Sequence, residues 1–143
     1  MPKSNIVNIP VKMERFYGKG KMLHPSIDDV EALLKMVPKG KITTIEALAK
    51  RLAQNFGTDV TCPMRTGNAI KKISDRYVDE SFDEQIPFWR VIRSNQQLIK
   101  SKNYERSAAQ IETEGFELTY LKSKEVKVSY SEDQLFLFEI ALG

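Results

Sequence analysis

Cysteine and histidine are the scarcest reactive residues of this 143-residue chain, which holds one of each, Cys62 and His24. A single cysteine excludes an internal disulfide and a zinc site built from several thiolates. A single histidine leaves no pair of imidazoles for a metal ion or a proton relay. We therefore expect no metal and no other cofactor, which excludes most classes of metalloenzyme.

Long apolar runs are also missing. The first residues lack the apolar core of a signal peptide, and no later stretch of 18 residues is apolar throughout. We therefore expect a cytoplasmic protein that is neither exported nor inserted into a membrane. With few glycines and prolines, 41% hydrophobic and 29% charged residues, the composition is that of an ordinary globular domain with one core.

A large excess of charge of one sign is absent as well, since 22 basic and 19 acidic residues leave a net charge of +3. That total alone does not indicate a nucleic-acid partner. The cations are unevenly placed, however, and residues 1–22 predict a basic, loosely ordered arm. The alternative is a solvated tail without a partner. The charged residues of this arm are Lys3, Lys12, Arg15, Lys19 and Lys21 against Glu14.

The first half of the chain carries start signals for successive helices. Ser26 opens a capping box at the start of the first helix. A proline-glycine turn at 38–40 separates it from the second, whose cap we predict to be Thr43, with Glu46 three residues later. The third helix is expected over residues 63–78, because proline suits a first helical position.

The third helix has a polar stripe opposite its apolar face. At 100° per residue, Arg65, Asn68, Lys72 and Arg76 cluster on one side. Two short helices followed by such a third helix are typical of a helix-turn-helix, whose third helix enters the major groove of DNA. The alternative is a solvated amphipathic helix without a ligand.

The second half predicts short strands and two more helices. Val91 and Ile92 indicate a strand, and the turn after it, at 94–95, would place a wing beside the third helix. A fourth helix is expected over 103–114 and a strand over 126–130. The last helix, 135–142, is apolar nearly all round, so we expect it in the core, with a dimer contact as the alternative.

The order of these motifs resembles the DNA-binding domain of the alkylguanine-DNA alkyltransferases and of their alkyltransferase-like relatives, which lack the reactive cysteine. The resemblance covers about residues 28–118. The family's proline-glycine turn and second helix resemble residues 37–49, and its Gly-Asn-Ala segment resembles residues 67–69. Its Pro-Cys-His-Arg-Val active-site run falls on residues 87–91, and its later Glu-Gly pair on residues 114–115.

The departures from the family pattern lie at the reactive positions. A true alkyltransferase needs a thiolate, activated by a neighbouring base, to accept the alkyl group. Here Phe88 stands at the position of the cysteine of a methylated-DNA-protein cysteine methyltransferase, and Trp89 at that of the histidine. The resemblance therefore implies a protein that is not an enzyme, most similar to relatives with a Pro-aromatic-Trp-Arg run. The alternative is an alkyl acceptor that uses Cys62.

Other family residues are also replaced. Ile45 aligns with the tyrosine that helps to rotate the target nucleotide, and Met64 aligns with the intercalating arginine. Met64 could still act as an apolar wedge between bases, with Arg65 as a backbone clamp. Glu114 aligns with the carboxylate that supports the family's histidine.

The sequence and the resemblance together predict a mainly α fold with a small β wing. We expect an alkyltransferase-like, winged helix-turn-helix DNA-binding domain over 23–118, and a C-terminal strand and helix extension over 119–143 packed on the same core. The expected function is non-enzymatic binding of duplex DNA, including alkylated guanine, in DNA repair. The alternative is a regulatory or protein-interaction module without a lesion pocket, with a protein partner or a dimer through the last helix.

The predicted DNA contacts combine the stripe of the third helix with residues beside it. Pro87, Phe88 and Trp89 would form the wall of a lesion pocket, on which an extruded base stacks. The alternative for these rings is plain core packing. The predicted contacts are Thr43, Thr44, Met64, Arg65, Asn68, Lys72, Arg76, Arg90, Arg93 and Ser94.

Overall fold

A computed structural model describes residues 3–138 of the chain, in which short strands alternate with helices. The helices are α1 (Glu14–Tyr17), α2 (Ile27–Leu34), α3 (Ile45–Phe56), α4 (Pro63–Asp75) and α5 (Tyr104–Thr113). The strands are β1 (Asn5–Asn8), β2 (Lys21–His24), β3 (Thr43–Thr44), β4 (Val60–Thr61), β5 (Val91–Ile92), β6 (Glu117–Tyr120) and β7 (Val126–Ser129). Short 3-10 turns lie at Val11–Met13, Phe88–Arg90 and Glu132–Gln134.

The strands form small sheets between the helices. β2 pairs antiparallel with β1 and parallel with β4. β3 and β5 form a parallel pair, in which Thr43 lies opposite Val91. β6 and β7 form an antiparallel hairpin. The main apolar core lies between α2, α3, α4 and the β3–β5 pair, and it includes Leu34, Leu48, Ile73 and Ile92.

The loosely ordered arm predicted over residues 1–22 is wrong for residues 3–22. Asn5 of β1 pairs with His24 of β2, and a 3-10 turn and α1 connect the two strands. Ile9 and Met22 are buried in a small apolar cluster with Cys62. Burial of these side chains stabilises the segment, an effect that its basic composition does not reveal.

The predicted helices of the first half are present, with one shifted cap. The Ser26 hydroxyl accepts a hydrogen bond from the Asp29 amide at 3.1 Å, which is one half of the predicted capping box. The other half is absent, because the Ser26 amide donates to Ser4 Oγ at 2.8 Å and not to Asp29. The cap of α3 is Thr44, whose Oγ1 accepts from the Ala47 amide at 3.0 Å, and not the predicted Thr43. Thr43 is extended instead, because it belongs to the β3–β5 pair.

The C-terminal region differs from its prediction. The strand over 126–130 is confirmed as β7, but its partner β6 was not predicted. The helix expected over 135–142 is absent from residues 135–138, and residues 139–142 lie outside the described part of the chain. Leu135 instead forms a parallel bridge with Ile42, supported by a 2.8 Å hydrogen bond from the Ile42 amide to the Gln134 carbonyl. Val126, Val128 and Phe138 belong to the main apolar core.

Within residues 3–138, no helix is long and apolar enough to span a lipid bilayer. The same part of the chain holds no group of three or more His, Cys, Asp and Glu side chains placed to bind a metal ion.

Candidate nucleic-acid interface

A surface groove lies where the start of α3, the first half of α4 and the turn after β5 meet. We call it the α4 groove, and its volume is about 240 Å³. Its lining residues are Ile45, Pro63, Met64, Gly67, Asn68, Lys71, Arg93, Ile99 and Lys100.

The geometry of α4 explains the shape of the groove. Pro63 occupies the first turn, where its missing amide costs no hydrogen bond. Met64 leaves 71% of its surface exposed, and Gly67, one turn further along, has no side chain to fill the groove. A glycine within a helix costs about 1 kcal/mol relative to alanine. Here the missing side chain of Gly67 leaves the groove open between Met64 and Lys71.

The groove is lined by some of the predicted DNA contacts and by two cations that the sequence analysis did not predict. Met64, Asn68 and Arg93 were predicted, whereas Lys71 and Lys100 were not. The position of Lys71 was readable from the sequence, because it lies three residues after Asn68 and seven after Met64 on one helical face. Lys100 follows β5 through a turn whose path depends on the tertiary fold.

The other members of the predicted stripe, Arg65, Lys72 and Arg76, are exposed but do not line the groove. Arg76 forms an ion pair with Glu31 of α2. Burial lowers the pKa of His24 in β2, and the positive charge of nearby Arg65 lowers it further. Lys72 is exposed beside the groove but does not line it.

Two predicted DNA contacts are wrong, because their side chains are buried. Arg90 is 4% exposed, and its guanidinium donates to both carboxylate oxygens of Glu114, at 2.8 and 3.0 Å, and to the Val37 carbonyl at 2.9 Å. Thr43 is fully buried, and its hydroxyl is without a hydrogen-bond partner among the described residues. Thr44, also predicted, is half-buried and caps α3.

The turn after β5 holds Arg93 and Ser94 at the surface. The Arg93 amide donates to the Gln97 carbonyl at 2.9 Å, and the Gln96 amide donates back to the Arg93 carbonyl at 2.9 Å. Asn95 Oδ1 accepts from the Gln97 amide at 3.0 Å. Both Arg93 and Ser94 are exposed, as a backbone-contacting role requires.

The residues predicted to wall a lesion pocket form a closed aromatic cluster. Phe88 stacks on Tyr77 with ring centroids 5.8 Å apart, and Trp89 stacks on Phe82 at 5.2 Å. Phe88 and Trp89 meet edge to face at 5.2 Å, and Pro87 before them is buried. On the side of Phe88 and Trp89 that faces Leu98 and Ile99, only about 10 Å³ of space remains, which is about the volume needed for one water molecule. Core packing of these rings is therefore what the structure shows.

The side chain of Arg106 holds Phe82, a ring of this aromatic cluster, in place. Phe82 belongs to the acidic loop, residues 79–86, and the Arg106 guanidinium of α5 lies 4.2 Å from its ring centroid. Arg106 also donates to the carbonyls of Tyr77 at 2.6 Å and Glu80 at 2.5 Å. Between the loop and α5 lies an open cavity of about 440 Å³, bounded by Phe82, Trp89 and Gln110 among others.

Glu114 joins the aromatic cluster to the buried arginine. Its carboxylate accepts from Trp89 Nε1 at 2.9 Å and from Gln110 Nε2 at 3.0 Å, in addition to Arg90. Burial raises the pKa of Glu114, but the hydrogen bonds from Arg90, Gln110 and Trp89 outweigh that effect and hold the pKa below its ordinary value. Glu114 is therefore an ionised structural centre, and not a proton donor at neutral pH.

Cys62, the alternative alkyl acceptor, precedes the first residue of α4 and is 7% exposed. Its side chain packs with Ile9 and Met22. A thiol covered in this way does not meet the solvent exposure that nucleophilic cysteines need.

Comparison with known proteins adds evidence on the fold. A scan against protein-family models finds no match, and neither does a search of curated protein sequences. Among solved structures, S. pombe Atl1 in complex with damaged DNA containing O6-carboxymethylguanine is similar, with a TM-score of 0.57 and 20% identity. A second structure, S. pombe ATL in complex with DNA, has a TM-score of 0.54 and 19% identity.

Both matches cover 77% of this chain and 93% of the S. pombe chain. This chain thus shares the fold of these two S. pombe proteins, and the resemblance predicted from the order of the motifs is confirmed at the level of the fold.

Proposed function

We propose that this chain is a non-enzymatic DNA-binding protein of the alkyltransferase-like kind. Its α3 and α4 form the helix-turn-helix, and the turn after β5 is the wing. The observation that carries the proposal is the α4 groove, where the cations Lys71, Arg93 and Lys100 surround an exposed Met64. The similar fold of two S. pombe proteins solved in complex with DNA supports it.

The residues of the groove suit distinct parts of a DNA duplex. The three cations neutralise phosphates and release counterions, so binding weakens steeply as the salt concentration rises. Lys100 must first leave its ion pair with Glu125, at 3.1 Å on the surface. The Asn68 amide both donates and accepts, as a contact to a base edge requires. Met64 is an apolar wedge that can enter between two base steps in the minor groove.

The proposed ligand includes alkylated guanine, as in the S. pombe Atl1 complex with O6-carboxymethylguanine DNA. No alkyl transfer accompanies this binding, because Phe88 occupies the position of the family's nucleophile and its ring cannot attack an alkyl carbon. An extruded base needs space beside Phe88 or Trp89. The open cavity of about 440 Å³ bounded by Phe82, Trp89 and Gln110 offers such space, whereas only about 10 Å³ remains on the Leu98 side of the two rings.

A second candidate is DNA binding without lesion recognition, which the burial of Phe88 and Trp89, 4% and 1% exposed, favours. In that case the chain is a regulatory module that contacts duplex DNA through the same groove. A cytoplasmic location, and a protein partner or dimer contact through the C-terminal residues, remain predictions.

The test compares two labelled duplexes of one sequence, with and without a single O6-alkylguanine, by fluorescence anisotropy at several salt concentrations. Tighter binding of the alkylated duplex supports lesion recognition, and equal binding supports the second candidate. If neither duplex binds at low salt, the proposed function is wrong.

A further inference from the structure

The N-terminal segment exposes large aromatic side chains that do not belong to the α4 groove. Phe16 is 68% exposed and Tyr17 is 40% exposed, both within the four-residue helix α1. Large aromatic side chains normally lie buried, so two adjacent exposed rings indicate a surface that contacts a ligand.

Cations surround these two rings. The Arg15 guanidinium carbon lies 4.6 Å from the centroid of the Phe16 ring. Residues 1–22 carry five cations against Glu14, a net charge of +4, so the rest of the chain carries a net charge of −1. Lys12, Lys19 and Lys21 are exposed, and none of the salt bridges among the described residues involves them.

The segment borders a cavity of about 490 Å³ between α1, the outer face of α3 and β4. Tyr17, Ala49 and Ala53 are among its lining residues. Two carboxylates, those of Glu46 and Asp59, and one cation, Lys50, also line the cavity. With two carboxylates against one cation, the lining disfavours a phosphate inside the cavity, whereas its apolar side chains suit a planar, uncharged ring.

This cavity adjoins the α4 groove. Pro63, at the start of α4, lines both spaces, and the consecutive residues Ile45 and Glu46 line one each. A DNA strand that extends from a duplex in the groove across Pro63 would reach the cavity beside α1.

From this arrangement we propose that residues 11–21 and the adjoining cavity bind an unpaired stretch of DNA that continues from the duplex in the α4 groove. A base stacks on Tyr17 or Phe16, as on the aromatic residues of single-strand-binding proteins, while Arg15 and Lys19 contact its phosphates. The inference rests on the proposed DNA binding and adds a second contact surface to it.

The experiment uses a duplex of about one helical turn, either blunt or extended by a short single-stranded overhang at each 3′ or each 5′ end. For the unchanged protein, we expect an overhang to tighten binding about tenfold, the size of a single base-stacking contribution. A variant with Phe16→Ala and Tyr17→Ala should lose that gain and bind the blunt duplex as before.

A matched control is Tyr120→Ala, which removes an aromatic ring that is 67% exposed on β6, outside residues 11–21. It should keep the full gain from the overhang. The inference is wrong if neither overhang tightens binding, or if the double variant keeps the gain. Failure of the proposed function looks different, because then the blunt duplex does not bind and Lys71→Ala has no effect.

Discussion

Arg90 and Glu114 lie 24 residues apart in the sequence and form an ion pair at 2.8 Å, with the two side chains 5% and 0% exposed. The arginine also reaches the Val37 carbonyl, and the carboxylate also accepts from Trp89. The pair therefore ties the 3-10 turn at Phe88–Arg90 to the end of α5 and to the segment after α2.

Replacing Glu114 by glutamine should destabilise the fold by about 3–5 kcal/mol, because Arg90 is then left buried without a counter-charge. Urea unfolding at neutral pH measures this change. Glu117→Gln is the control, since Glu117 is exposed on β6, and it should change the free energy of unfolding by less than about 0.5 kcal/mol. An equally small change for Glu114→Gln would contradict the structural role of the pair.

Stability should also fall in acid because of Glu114. Its pKa in the folded chain is lower than in the unfolded chain, so the unfolded chain takes up the proton first as the pH falls. The contribution of Glu114 is complete above the unfolded pKa and disappears as the pH falls through the folded pKa. Unfolding free energies measured from about pH 7 down to about pH 3 should show this loss, and Glu114→Gln should reduce it.

Removing the Phe82 ring should expose Trp89, the single tryptophan of the chain. Trp89 is 1% exposed, and Phe82 covers one of its faces. We expect Phe82→Ala to increase the quenching of tryptophan fluorescence by acrylamide several-fold. Tyr120→Ala, at an aromatic residue 67% exposed on β6, should leave the quenching unchanged. Unchanged quenching in the Phe82 variant would mean that other residues shield Trp89.

Variants of two basic residues of α4 distinguish DNA binding in the α4 groove from DNA binding on the stripe predicted along the other flank of the helix. Lys71→Ala should weaken duplex binding and reduce the slope of log K against log salt by about 0.9, as expected for one lost phosphate contact. Arg76→Ala removes the same charge from the same helix, but its partner is Glu31, so both the affinity and the slope should be unchanged. The opposite result would place the DNA on the α2 side of α4.

Incubation with DNA containing O6-alkylguanine should leave the mass of the protein unchanged. Phe88 offers no nucleophile, and Cys62 is only 7% exposed. Intact-mass spectrometry measures the result, with a known alkyltransferase as the positive control. An added alkyl mass would overturn the prediction, and its loss in a Cys62→Ala variant would identify that thiol as the acceptor.

Local signals predicted much of the helical framework. Ser26 and Pro63 mark helix starts through interactions within one turn, so a short stretch of sequence contains the necessary information. The start of α3 was displaced by one residue, since Thr43 and Thr44 offer the same hydroxyl. Only the pairing of Thr43 with Val91, far along the chain, distinguishes them.

The residues of the candidate site were harder to predict from the sequence, because their exposure depends on tertiary packing. An arginine after two aromatic residues gives no local sign of burial, and the partner that makes Arg90 a core residue comes from the end of α5. The periodicity of α4 correctly separated polar from apolar faces. It could not show which polar flank meets α2 and which stays open, and this choice decides between Arg76 and Lys71.

The bridge between Ile42 and Leu135 has a consequence for the order of folding. It joins the segment before α3 to one near the end of the chain, and the Phe136 amide donates to the Ile42 carbonyl at 2.8 Å. During synthesis this contact forms only after Leu135 has left the ribosome. A contact of such long sequence separation raises the entropic cost of loop closure and slows folding. Nascent chains that end before Leu135 therefore leave the backbone groups of Ile42 without these partners.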